Sequence, residues 1–342
     1  MATNPTVELY QVNCAGDGAG EAGIVILINN ATTPKSITKA VLIDAGLGSQ
    51  AVKMLVKTMQ DIEKVFPAYK PFKFDAVCIS HWDRDHWFGL ANLDECLFRD
   101  ADYGWDDTKK QIKCLKYSST GANETRFYAP TKPLTSLVKA KLVVEEQVKP
   151  IPDILKFKSP IDGLFYPVAL AYHDDDLRGV EVFAGGKPSK ATIDSPDDLV
   201  DSNPPPFPNA PGLYIVGANG EMADSSLTIV DKGTATATNL SSLLLLLVWK
   251  STAGTAKISM YSGGDAEYQM ETLLVTWLDG EEVTVIKGGH HGSRAGTSIS
   301  LIQATHPAHY IVSPARQYGH PGRIFLSSIR LAFRVLRWNL LC

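Results

Sequence analysis

Between Ile79 and Leu90 the chain reads Ile-Ser-His-Trp-Asp-Arg-Asp-His-Trp-Phe-Gly-Leu, which places His81, Asp83, Asp85 and His86 within six residues. Imidazole and carboxylate side chains at this density suit a divalent cation such as zinc, manganese or iron. Three other places repeat the pattern of an apolar run that ends in ligand-type residues. Ala40 to Ile43 ends in Asp44-Ala45-Gly46, Lys257 to Tyr261 leads to Gly263-Gly264-Asp265, and Val283 to Lys287 leads to Gly288-Gly289-His290-His291-Gly292-Ser293. Residues at the carboxyl ends of separate strands can converge in space, because open α/β sheets bind ligands there. The stretch 81–86 is therefore expected to be one side of a site, with Asp265 and His290 coming across from strands far later in the chain. The glycine pairs before Asp265 and His290 let the backbone turn sharply and leave space around a metal.

Regular elements must hold these loops. Phe74 to Ile79 reads as a buried strand, and Trp87 to Leu90 as the packed start of a helix. Val7 to Val12 and Gly23 to Ile28 read as two strands joined by a glycine-rich turn. Ser49 reads as an N-cap for an amphipathic helix carrying Val52, Leu55, Val56, Met59, Ile62 and Val65, which stops before Pro67. Further strands are expected at 212–216, 227–230, 243–249, 257–261, 283–287 and 310–313, with helices over 266–277 and 324–336. Strands alternating with helices indicate an α/β fold. Apolar periodicity weakens from about 95 to 211, where Asp, Lys, Pro, Ser and Asn are frequent. That span reads as an insertion that shapes the pocket, with a strand candidate at 164–170 and an irregular proline-rich stretch at 196–211.

Composition narrows the class. The chain has 342 residues, 44% hydrophobic and 20% charged, with a formal net charge of -4, so a sizeable core is expected and general affinity for nucleic acid is not. From Thr284 to Cys342 there is no acidic residue but one lysine and six arginines. One reading is a positive field that favours an anionic substrate; the plainer one is an arginine-rich surface helix balanced elsewhere. The five cysteines show no CxxC spacing, which argues against a disulfide framework or a thiolate zinc site. No apolar run approaches the length of a membrane span, and the first residues do not read as a secretory signal, so a cytoplasmic protein is expected. The oligomeric state is not indicated.

In this order, His81-x-Asp83-x-Asp85-His86, Gly-Gly-Asp265, Gly-Gly-His290-His291-Gly-Ser and Tyr318-Gly319-His320-Pro321 resemble the metallo-β-lactamase fold superfamily. The branch they resemble most is the hydrolase domain of ComEC-type DNA-uptake proteins and its stand-alone relatives. The resemblance covers about 1–94 and 212–325. It implies a four-layer αββα sandwich, one domain over 1–342 with 95–211 inserted in it. It also implies one or two zinc ions, with manganese or iron as alternatives. By resemblance, Asp85, His86 and His290 hold one ion, Asp265 bridges two, and His81 and Asp83 serve the other. Asp44 orients a histidine or a loop amide. Asn239, His291, Ser293 and His320 are assigned to substrate contacts or to support of the ligands. Two departures stand out: Asp83 replaces a usual histidine, and Thr238-Asn239-Leu240 stands where a further histidine is usual. Both make the first site richer in oxygen.

Locally, Asp265 can also be read as a helix N-cap, and His320 as part of a structural turn. His173, beside Asp174 to Asp176, reads as a solvated loop, and His306 and His309 as structural. Trp82 and Trp87 read as packing for the motif. The chemistry expected is hydrolysis by a metal-activated water, with Asp83 or Asp265 accepting its proton and Asp85 among the ligands. The favoured substrate is a small molecule with an ester, lactone or related bond. A phosphodiesterase or nuclease of the DNA-uptake type is the alternative, and a non-catalytic metal-binding protein of the same fold is a third reading.

Overall fold

The computed structural model describes residues 6–12, 14, 20–70, 72, 74–91, 126–130, 156–158, 165–167, 180–183, 211–224, 226–231, 233–250, 257–314 and 319–322. The chain is mixed α/β and divides into two compact units. Unit 1 takes residues 1–131 and 149–174, and unit 2 takes 132–148 and 175–342.

Unit 1 opens with β1 (Thr6–Gln11), β2 (Ala22–Asn29) and β3 (Ser36–Ala45), an antiparallel meander. Helix α1 (Gly48–Val65) then carries the chain to β4 (Ala76–Cys78), which lies parallel to β3. After α2 (Arg84–Ala91) comes β5 (Arg126–Tyr128), parallel to β4, so the sheet runs β1-β2-β3-β4-β5. A separate hairpin pairs β6 (Lys156–Lys158) with β7 (Phe165–Pro167). The apolar stripe of α1, Val52, Leu55, Val56, Met59 and Ile62, packs in one cluster with Ile24, Ile26, Ile28, Leu42 and Val77. Each such fully buried side chain contributes about 1.5–3 kcal/mol.

Unit 2 builds a seven-stranded sheet. Strands β8 (Val180–Phe183) and β10 (Glu221–Met222) both pair with β9 (Gly212–Ala218). Past the short helix α3 (Ala237–Leu240), β11 (Leu244–Lys250) lies between β9 and β12 (Lys257–Ser262), antiparallel to both. Helix α4 (Tyr268–Leu278) then leads to β13 (Val285–Lys287), parallel to β12, and α5 (Ile299–Thr305) leads to β14 (His309–Ile311), parallel to β13. The core under this sheet gathers Leu244, Leu246, Tyr261, Met270, Leu274, Trp277, Ile286, Leu301 and Tyr310.

Several expected elements shift. The third strand is longer than its apolar run, because Ser36 to Lys39 pair with β2 despite their polarity. Helix α1 starts one residue before Ser49; its N-cap is Leu47, which has no side-chain capping bond. Residues 227–230 form no strand, only an isolated bridge from Thr228 to Glu221. Two segments of the 95–211 span, β5 and β8, join the main sheets of their units. The loop at 196–210, His173 and the helix expected over 324–336 lie outside the described residues. Among the described residues no helix is long and apolar enough to cross a membrane. Among the described residues Cys14 and Cys78 form no disulfide, and burial raises the Cys78 pKa above the usual thiol range.

Candidate metal centre

Unit 1 carries Asp44, His81, Asp83, Asp85 and His86 in two adjoining segments: the end of β3, and the turn between β4 and α2. The first segment ends in a left-handed residue, Asp44 at φ 57°, which points its carboxylate back into the unit. Oδ1 of Asp44 accepts the Ser80 amide at 2.7 Å, and Oδ2 accepts the Ser80 hydroxyl at 2.8 Å. Nδ1 of His86 lies 2.8 Å from the same Oδ2. The carboxylate is an acceptor only, so His86 must carry its proton on Nδ1. The Ser80 hydroxyl, having donated to Asp44, then accepts from Nδ1 of His81 at 3.1 Å. One buried carboxylate thereby sets the tautomer of both imidazoles and leaves Nε2 of each as the ligating atom. Such outer support is the usual partner of a metal-bound histidine.

The two rings are fully buried, with centroids 4.1 Å apart. Nε2 of His81 lies 3.5 Å from Oδ2 of Asp83, whose side chain is 28% exposed. Two ligands with bonds of 2.0–2.1 Å at a tetrahedral angle sit roughly 3.3 Å apart. The pair is thus spaced as two ligands of one cation, and the donor set fits zinc, manganese or iron.

Main-chain bonds hold this turn against the end of β3. The His86 amide donates to the Asp83 carbonyl at 3.0 Å, opening α2, and the Gly89 amide donates to the Gly46 carbonyl at 2.8 Å. A Cβ on Gly89 would lie 1.9 Å from the Ala45 carbonyl oxygen, so only glycine permits the approach. Trp82, 1% exposed, donates its indole N–H to the Pro130 carbonyl, and Trp87 donates to the Trp82 carbonyl at 3.1 Å. Both tryptophans are packing residues.

Sequence reasoning passed over Glu21. Its amide donates to the Asp85 carbonyl at 3.0 Å, and its carbonyl accepts the Gly46 amide at 2.8 Å, so it joins both ligand-bearing segments. Its buried carboxylate forms a group with Asp44 and His86 whose potential ligand atoms all lie within 4.8 Å of one another. A lone acid opening an otherwise apolar strand was the available signal. Ser80, which relays Asp44 to His81, was also missed.

Unit 2 gathers Asn239, Asp265, Glu267, His290, His291, Ser293 and His320. The two glycine-pair motifs are stitched together by the His290 amide, which donates to the Gly264 carbonyl at 3.0 Å. The backbone is left-handed at three successive residues, His290 (φ 47°), His291 (φ 56°) and Gly292 (φ 75°). Strain at non-glycine residues of this kind gathers at functional sites. Gly263 and Gly288 prove to be needed for more than turning. A Cβ there would sit 2.1 Å from the hydroxyls of the buried Tyr261 and Tyr310.

The adjacent histidines differ. His291 is buried, with Nδ1 3.1 Å from the Ser313 carbonyl and Nε2 3.7 Å from Oδ1 of Asp265. A carbonyl only accepts, so His291 carries its proton on Nδ1 and turns Nε2 to Asp265. The His290 side chain is 29% exposed, with Nε2 3.8 Å from Oδ2 of Asp265 and Nδ1 3.6 Å from Oε1 of Glu267. Burial disfavours its protonation, but Glu267 and the Asp265 charge outweigh that and raise its pKa above the ordinary histidine value. His320, partly exposed, has its pKa lowered by burial and by the neighbouring His290 and His291; its ring lies 6.1 Å from that of His290. Asp265 is not the N-cap of α4, a position taken by Glu267. Asn239 donates its amide to Oε1 of Glu267 at 3.1 Å. Ser293 accepts the Gly296 amide at 3.0 Å and closes its own turn. His306 caps α5 in a left-handed conformation, and His309 begins β14.

No protein-family model matches the chain, and no curated protein matches it. Among solved structures the chain is similar to an Rm3 metallo-beta-lactamase, at 16% sequence identity and a TM-score of 0.31, with 98% of this chain and 96% of that one covered.

Proposed function

We propose that the chain is a metal-dependent hydrolase of the metallo-β-lactamase fold class, a single four-layer αββα domain with 95–211 as an insertion. Its substrate on this reading is a small molecule with an ester, lactone or related bond. The observation that carries the proposal is the Asp44–Ser80 arrangement, which presents Nε2 of both His81 and His86 as ligating atoms. No structural need of a folded core calls for two touching, fully buried imidazoles held in the same tautomer.

His81, Asp83, Asp85 and His86 are the proposed ligands of unit 1. In unit 2 the geometry favours Asp265 with His291, rather than His290, because the Ser313 carbonyl fixes the His291 ring as a metal-bound histidine is usually fixed. A divalent cation held by these residues would make a water acidic enough to react near neutral pH. Asp44 and Ser80 hold the imidazoles while charge develops, and Asp83, a partly exposed carboxylate, takes up the proton. Elemental analysis of the purified protein, then assay of ester, lactone and bis-phosphodiester substrates with and without each metal, tests the reading. Metal content near one or two equivalents, lost together with activity in His86→Ala and Asp85→Ala, is the expected result. Full activity in a metal-free preparation would refute it, and turnover of the phosphodiester alone would move the substrate class.

A further inference from the structure

The second histidine of the Gly-Gly-His-His motif leaves the first without a stated task, and the groups around His290 supply one. Resting on the functional reading above, we propose that Glu267 and Asn239 are positioning residues that hold His290 as a substrate-facing group, distinct from the ligand His291.

Asn239 is 4% exposed and sits in α3, a four-residue helix whose N-cap Thr236 accepts the Asn239 amide at 3.0 Å. That cap fixes the backbone from which the Asn239 side chain reaches Glu267 at 3.1 Å. Glu267, 5% exposed, offers the same Oε1 to the Nδ1 edge of His290 at 3.6 Å. Nδ1 of His290 is itself buried, so the exposed 29% of that side chain belongs to the rest of the ring. The row amide, carboxylate, imidazole therefore runs from a capped buried helix to a ring edge open to a ligand. The His290 main chain is pinned separately, by its bond to Gly264 and by its left-handed φ. The backbone is fixed and the buried ring edge faces a carboxylate, which suits a group meant to meet a substrate oxygen. His291, anchored on a main-chain carbonyl, needs neither Glu267 nor Asn239.

The test compares wild type with Glu267→Gln, Asn239→Ala, His290→Ala and the Glu267→Gln/His290→Ala double variant. In the metal-free protein labelled with 15N-histidine, Glu267→Gln is expected to move the His290 ring resonances and leave those of His291 in place. Unmoved His290 resonances overturn the proposal, and this arm needs neither metal nor substrate. In the loaded enzyme, Glu267→Gln should lower kcat about 10–100-fold with KM and metal content unchanged. The double variant should be no slower than His290→Ala alone, because the residues act as a unit. Metal loss in parallel with kcat, or losses that multiply in the double variant, also overturn it. A wild-type protein that binds no metal and turns over nothing sinks the functional reading instead, and the resonance comparison still decides the positioning role.

Discussion

Units 1 and 2 follow one plan: antiparallel strands first, then parallel strands reached through helices, with ligand-type residues at the carboxyl ends of the parallel strands. They differ in what aims those residues. In unit 1, side chains do it: Asp44 grips His86 directly and His81 through Ser80. In unit 2, the main chain does most of it, through the Ser313 carbonyl on His291, the Gly264 carbonyl on the His290 amide and three successive left-handed residues. Side-chain aiming can be removed by one substitution. Main-chain aiming is vulnerable only where the backbone itself is displaced.

The largest effect is expected where unit 1 also depends on a close backbone approach. Gly89→Ala would drive a Cβ to within 1.9 Å of the Ala45 carbonyl oxygen and push α2 off the end of β3. A loss of about 4 kcal/mol or more is expected, among the largest for a single substitution. Denaturant unfolding measures it. A loss below 1 kcal/mol would show that α2 is not held there.

Asp44→Ala comes next. It strands the Ser80 amide in a buried place, takes the acceptor from the Ser80 hydroxyl and leaves Nδ1 of His86 only its 3.2 Å contact with that hydroxyl, and each unsatisfied group costs about 1–3 kcal/mol. Metal affinity should fall about 10–100-fold. In unit 2, Ser313→Ala keeps the carbonyl that orients His291 and should cause no loss of that size. Equal losses of metal affinity in the two variants would erase the contrast between the units.

The same contrast explains what could be read in the sequence. His81, Asp83, Asp85, His86, Asp265 and the histidine pair stood out because ligand chemistry is carried by residue type and spacing. Asp44 was visible because a lone acid ended an apolar strand. Ser80 and Glu267 were not, since a serine next to a histidine and a glutamate next to an alanine look like any others until hydrogen bonds are drawn. The resemblance names His290 as the ligand and gives His291 a supporting place; the proposed exchange of those roles rests on Ser313, which contributes only a carbonyl and so leaves no mark in residue type. The glycine pairs were rightly read as turns, but their need to clear Tyr261 and Tyr310 is a packing fact. Elements bounded by apolar runs emerged near their true places, whereas the polar start of β3 and helix α3 are made by pairing and capping that the apolar pattern does not encode.

A pH experiment probes the buried floor of the unit 2 motifs. Glu271 is fully buried, with Oε2 accepting the Ser298 amide, and burial raises its pKa from 4.5 to about 7. The folded state therefore holds this proton more tightly than the unfolded chain does. Its contribution to stability is full below about pH 4.5, falls as pH rises to about 7, and is flat above. Glu271→Gln removes the titration and should gain on the parent through that window, by up to about 3 kcal/mol above pH 7. Taking variant minus parent cancels the histidines that titrate nearby. A difference that does not change with pH would mean the carboxyl is ionised throughout.

The smallest effect is expected at a helix cap. Ser298 accepts the Leu301 amide at 3.1 Å and opens α5, while α1 in unit 1 starts at Gly48 after Leu47, which makes no side-chain capping bond. Helix α1 has eighteen residues and a full apolar stripe, so packing sustains it without a cap. Helix α5 has only seven residues. Ser298→Ala should therefore cost about 1 kcal/mol, read by thermal or denaturant unfolding. The change leaves the Ser298 amide on Glu271 but removes the hydroxyl, which also holds the Glu271 pKa down, so the pH range over which stability falls should extend upward. A cost near zero would show that α5, like α1, is carried by Leu301 and Ile302 in the core, and would remove capping from the differences between the two units.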